Sequence, residues 1–142
     1  MSTGPIIVEQ ILNASASKVW KAISDRDEMA KWYFDLKAFL AEPGFEFQFE
    51  GGPDDRKYLH LCKVIEVENE KRLSYSWRYD GYAGNSIVSF DLHRDGDRTR
   101  LKLTHSGVDT FPKDNPDFAR ENFVQGWTEI IGTSLPGYLQ KN

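Results

Sequence analysis

Residues 117–139 read DFARENFVQGWTEIIGTSLPGYL, and this stretch decides the fold. Phe123 with Val124, Trp127, Ile130 with Ile131, Leu135, and Tyr138 with Leu139 recur at helical spacing, which predicts one long helix with a broad apolar face. About 20 residues at ~1.5 Å each reach ~30 Å. Seven strands laid ~4.8 Å apart span nearly the same width, so one helix crosses a whole sheet. Its weak point is Pro136, whose ring meets the carbonyl four residues back, on Gly132. The pair predicts a kink or break between them. Gly126, beside Trp127, is expected to let the helix lie close to the sheet.

Upstream, the periodicity supplies that sheet. Residues 6–13 alternate Ile6, Val8, Gln10 and Leu12 against Ile7, Glu9, Ile11 and Asn13, a strand with one strongly apolar face. Ser15 stands at an N-cap position before a short amphipathic helix carrying Val19, Trp20 and Ile23. A second short helix, with acidic residues early, ends near Trp32. From Phe34 to Val108 the period becomes two. Residues 35–40 give a weak strand, and Phe45, Phe47 and Phe49 alternate with glutamates and Gln48 in a clear one. Residues 57–69 form a long strand with imperfect alternation: Leu59 and Leu61 share a parity and Val64 falls on the other, which a bulge explains. Leu73, Tyr75 and Trp77 share one face of the next strand, as do Val88, Phe90 and Leu92 of the one after. Arg-Asp-Gly-Asp at 94–97 makes a tight hairpin into a last strand bearing Leu101, Leu103 and His105 on one face. The order predicts an α+β fold: a curved antiparallel sheet of about seven strands wrapped on the C-terminal helix, with two short helices after strand one. With no linker, repeat or low-complexity tract, residues 1–142 read as a single domain.

Composition narrows the function. The chain has 142 residues, 18 basic and 22 acidic, for a net charge of −4, with no basic stripe, so nucleic acid is not the expected partner. No stretch reaches the ~20 apolar residues of a membrane span. The opening MSTGPIIVEQ lacks a basic and then apolar leader, so the cytoplasm is the expected compartment. A lone Cys62 leaves no internal disulfide and no Cys-x-x-Cys pair. The chain's three histidines, His60, His93 and His105, show no metal-ligand spacing, and no cofactor is expected. No Gly-x-Ser-x-Gly elbow or phosphate loop is present, so no catalytic residue is assigned.

The side chains left are aromatic. Phe47, Phe49, Tyr75, Trp77, Phe90, Phe123 and Trp127 all carry inward parity or the helix's apolar face. They pack as core, or a subset lines a cavity between helix and sheet. His105, inward by parity, holds a structural hydrogen bond or anchors a ligand at the cavity wall. Gln10 is an apparently inward polar group that caps a buried network or touches a ligand. His93 is expected in solvent, and the facing of His60 is not assigned.

Ala-Ser at 14–15 followed by Val-Trp at 19–20, Trp-Tyr at 32–33, Val-Ile-Glu-Val at 64–67 running into Arg-Leu-Ser-Tyr-Ser-Trp at 72–77, Leu-Thr-His-Ser-Gly at 103–107 and Gly-Trp at 126–127 stand in a telling order. Over residues 6–140 the chain resembles the helix-grip (START-like, SRPBCC) superfamily, in particular the branch named after the activator of Hsp90 ATPase. That superfamily serves lipid, steroid and plant-hormone binding, polyketide cyclisation and co-chaperone work, so fold alone does not choose the function. The resemblance implies binding of a small apolar or amphipathic molecule between sheet and C-terminal helix. Gln10, Phe49, Tyr75, Trp77, Phe90, His105, Phe123 and Trp127 are the expected contacts. It also implies two alternatives: a chaperone-associated interaction domain with an Hsp90-type partner, or a cyclase-type enzyme using His105 or His60 as its base.

Overall fold

The computed structural model of the chain describes residues 4–34, 36–52 and 57–140. Strand β1 (Ile6–Leu12) leads into helices α1 (Ala16–Ser24) and α2 (Arg26–Trp32). Ser15 caps α1, its hydroxyl accepting from the Lys18 N–H at 3.2 Å, and the Asp25 carboxylate caps α2 through Glu28 N–H at 3.1 Å. Strands β2 (Glu46–Gly51), β3 (Tyr58–Glu68), β4 (Arg72–Tyr79), β5 (Ser86–Asp95) and β6 (Arg98–Ser106) follow. The chain closes with α3 (Arg120–Glu129), a π-helical segment (Ile130–Ser134) and α4 (Leu135–Gln140).

All strands pair antiparallel in one sheet, in the order β1-β6-β5-β4-β3-β2. Its inner face carries Leu101, Leu103 and His105 of β6, Val88, Phe90 and Leu92 of β5, and Leu73, Tyr75, Trp77 and Tyr79 of β4, all buried. Against them pack Val19 and Ile23 of α1, Met29 and Trp32 of α2, and Trp127, Ile131, Leu135 and Leu139 of the C-terminal helix. This is the expected α+β, helix-grip architecture. No helix among the described residues is long and apolar enough to cross a membrane.

The sheet has six strands where the pattern predicts about seven. Residues 36–40 form a loop, and Asp35 lies outside the described residues. Leu36 and Phe39 are both buried, a spacing of three that suits a loop laid over the core better than the alternation of a strand. Arg26 holds this loop by donating to the Leu36 carbonyl at 2.5 Å.

In β3 the bulge exists but lies later than the apolar residues indicate. Tyr58, His60, Cys62 and Val64 face inward without interruption, while Leu59 and Leu61 are half-buried on the outer face. The register against β4 slips between Val64 and Glu66. His60 is thereby committed to the interior.

The helix begins at Arg120 rather than near Asp117. Residues Pro116–Phe118 form a 3-10 turn in which the Asn115 side chain accepts from Asp117 N–H at 3.0 Å, and Ala119 is extended (φ −67°, ψ 143°). Downstream, the expected break at Gly132 and Pro136 takes the form of the π-helical segment, with Leu135 N–H bonded to the Ile130 carbonyl. The wider turn moves the Gly132 carbonyl out of the way of the proline ring.

Candidate functional site

A recess of about 360 Å³ opens between α3 and the inner face of β3 and β4. Its walls are Phe34, His60, Trp77, Tyr79, Phe123 and Trp127, with Gly52, Asp117, Asn122, Gly126 and Ile130 completing the lining. The position of each wall residue follows from local structure. Trp77 and Tyr79 share the inward parity of β4, His60 that of β3, and Phe123 and Trp127 lie one helical turn apart.

Trp127 is fixed by a hydrogen-bonded chain. Its indole Nε1–H donates to His105 Nδ1 at 2.9 Å. The opposite ring nitrogen, Nε2, meets Ser86 Oγ at 2.8 Å, and that hydroxyl donates to the Trp77 carbonyl at 2.7 Å. An indole only donates and a carbonyl only accepts, so the chain has one consistent direction: His105 is neutral, with its proton on Nε2. Burial pulls its pKa down to about 3. Both nitrogens are therefore occupied, and His105 has no lone pair left to serve as a base.

His60 is neutral as well, burial pulling its pKa to about 4 against the opposing pull of the Tyr58 and Phe49 carbonyls. Its Nδ1 stands 2.9 Å from the Tyr58 carbonyl, which accepts, so Nδ1 carries the proton and Nε2 is the remaining acceptor. Phe49 stacks on the imidazole at 4.4 Å, with Tyr79 at 4.7 Å and Trp77 at 4.9 Å between ring centres. The Trp77 indole donates to the Tyr79 hydroxyl at 2.9 Å. Burial raises the pKa of that phenol and of the Cys62 thiol, so both stay protonated.

The centre of the molecule is filled by its own rings. Tyr33 stands 6.2 Å from Trp127 and 6.4 Å from Phe49 and Phe90, and its hydroxyl lies 2.7 Å from that of Tyr75. These rings thus occupy the middle of the space between helix and sheet.

Of the expected contacts, Trp77, Phe123 and Trp127 meet at the recess. His105 lies directly behind Trp127, and Phe49 behind His60. Tyr75 and Phe90 are core residues, 0% and 2% exposed. Gln10 lies apart, its side-chain oxygen facing Gly132 in the π-helical segment. Gly126 does not bring helix and sheet together, because a Cβ built there meets nothing within 4 Å; the glycine opens the recess instead. Phe34 and Tyr79 escape the sequence reading, which names His60 only as a possible base with its facing unassigned. Tyr79 continues the parity of Tyr75 and Trp77 and was findable on that ground. His60 becomes findable only once the bulge is placed after Val64.

Comparison with known proteins agrees with this geometry. No curated protein matches the chain. Among solved structures, the crystal structure of DynU16, a protein of the dynemicin biosynthetic locus, superposes with a TM-score of 0.79 at 22% identity over 98% of this chain. The chain spans about half of DynU16, 48% of its length. Mll3558 of Rhizobium loti gives a TM-score of 0.82 at 17% identity, covering 94% of this chain and 95% of that one. The solution structure of BH1534 of Bacillus halodurans gives 0.70 at 27% identity, covering 89% and 90%. Residues 13–140, nearly the whole helix-grip domain, match the family described as activator of Hsp90 ATPase homolog 1-like protein, and the chain belongs to that family.

Proposed function

We propose that this protein binds a small apolar or amphipathic molecule in the recess between α3 and strands β3 and β4. The observation that carries the reading is the lining: five aromatic side chains, Phe34, Trp77, Tyr79, Phe123 and Trp127, face one space together with a single uncharged histidine. Small-molecule sites are concave and mostly apolar, with a few placed polar groups, and usually measure ~300–1,000 Å³. At about 360 Å³ the recess suits a compact ligand of two or three rings. Each Å² of apolar ligand surface withdrawn from water contributes ~25 cal/mol, and the aromatic walls supply the contact.

A thermal-shift screen backed by native mass spectrometry, run against fatty acids, sterols and aromatic polyketides, tests the reading. The expected result is a raised melting temperature with a one-to-one adduct for at least one of these classes. Gly126→Leu places a side chain where an added Cβ meets no neighbour, so the variant folds and its new side chain takes up recess space. It is expected to lose the shift. A screen in which no compound moves the melting temperature, or in which Gly126→Leu binds undiminished, overturns the assignment.

A further inference from the structure

Two hydrogen-bonding valences in the recess are unspent. The Tyr79 hydroxyl accepts from the Trp77 indole, and among the described residues nothing takes its hydrogen. His60 donates from Nδ1 to the Tyr58 carbonyl, and no described residue donates to its Nε2. The two rings stand 4.7 Å apart, centre to centre, both 5–6% exposed and both lining the recess. Among the described residues no buried side-chain nitrogen or oxygen lacks a partner, so the open His60 acceptor is accessible rather than sealed in, and a spare donor and a spare acceptor on one wall suit a group that does both.

We propose, resting on the binding reading above, that the recess selects a neutral ligand through a hydroxyl group, which donates to His60 Nε2 and accepts from the Tyr79 hydroxyl. A phenol or alcohol completes both valences with one oxygen. A carbonyl or ether accepts from Tyr79 and leaves His60 unmet. A carboxylate cannot donate to His60. The hydrogen-bond inventory therefore prefers the hydroxyl to the anion. Sites built to hydrogen-bond a hydroxyl discriminate strongly against analogues lacking it, because the protein's own groups are then left buried and unpaired.

The experiment is a calorimetric titration of the intact protein at pH 7 with three probes of similar size: 2-naphthol, 2-naphthoate and 2-methylnaphthalene. The expected order has 2-naphthol at least roughly tenfold tighter than 2-naphthoate, and no weaker than 2-methylnaphthalene despite the greater apolarity of the methyl compound. Tyr79→Phe is expected to weaken 2-naphthol by roughly tenfold while holding 2-methylnaphthalene within about twofold. Tighter binding of 2-naphthoate or 2-methylnaphthalene by the unaltered protein overturns the hydroxyl assignment and leaves the apolar recess standing. Equal losses of both neutral probes in Tyr79→Phe also overturn it. Binding of none of the three overturns the hydroxyl assignment, while the screen of fatty acids, sterols and aromatic polyketides decides the apolar recess separately.

Discussion

The interior of this protein holds a polar chain in which every hydrogen has one place to go. Trp127 gives its indole hydrogen to His105, His105 gives its own to Ser86, and Ser86 gives its own to the Trp77 carbonyl. The chain ties α3 to β6, β5 and β4, so the recess wall is held by hydrogen bonds as well as by ring packing. Ser86→Ala strands the His105 Nε2–H and the Trp77 carbonyl at once, and a buried donor without a partner costs about 1–3 kcal/mol. Urea denaturation is expected to show that loss. A stability loss below ~0.5 kcal/mol would mean the chain is incidental. Gly126 makes the opposite case. It sits exposed in the middle of α3 with nothing near its missing Cβ, so Gly126→Ala is expected to stabilise the fold by about 1 kcal/mol, read as a higher urea midpoint. Much of this residue-level picture is invisible in sequence. The parity of Leu101 and Leu103 turns His105 inward, but its partners lie 19 residues before it and 22 after, at a separation no local pattern encodes.

The C-terminal helix shows what an element can hide behind a regular pattern. Its buried residues are Trp127, Ile131, Leu135 and Leu139, each four after the last. An α-helix turns ~100° per residue, so three such steps carry a side chain ~120° around the axis. A straight helix would swing Leu139 off the sheet. The π-helical segment at Ile130–Ser134 is underwound and takes up that drift, keeping all four residues on one face. The same logic makes the segment equivalent to one inserted residue. Deleting Thr133, which is exposed, together with Pro136→Ala is expected to give a straight α-helix with the same buried face and a melting temperature within a few degrees of the parent. Deleting the exposed Gln125 instead, in the regular part of α3, turns residues 120–124, with Phe123 of the recess wall, ~100° against the buried face and is expected to lower the melting temperature further than the first deletion does. Circular dichroism melts of the two deletions decide; equal damage from both would refute the argument. Pro136 and Gly132 announced the irregularity, but the spacing of four that explains it reads equally well as ordinary helix. Period two placed β4 and β5 because their inner faces carry large rings and aliphatic side chains at alternate positions, Leu73, Tyr75, Trp77 and Tyr79 on one and Val88, Phe90 and Leu92 on the other. It failed at residues 35–40, where a loop buries Leu36 and Phe39, and it misplaced the β3 bulge because Leu59 and Leu61 look more apolar than the inward-facing His60.

At the scale of the whole molecule, folding asks two histidines to give up their charge. His60 and His105 both lie under the rings, and burial lowers their pKa values from 6.5 to about 4 and about 3. The unfolded chain binds protons at these residues below pH 6.5 while the native state does not, so stability rises with pH through this window and is lost as pH falls below it. At pH 5 each histidine is expected to have cost about 2 kcal/mol, and the two act on a reserve that is only ~5–15 kcal/mol in most domains. Protonating His105 also means displacing the Trp127 N–H from Nδ1, so acid loosens the very residue that walls the recess. Urea midpoints measured from pH 7.5 to pH 5 should therefore fall steeply, well before the surface carboxylates titrate. His105→Gln removes one of the two titrating groups, and whatever it costs at neutral pH, the dependence that remains should be about half as steep. A midpoint that stays flat from pH 7 to pH 5 would mean that neither ring is held neutral by burial.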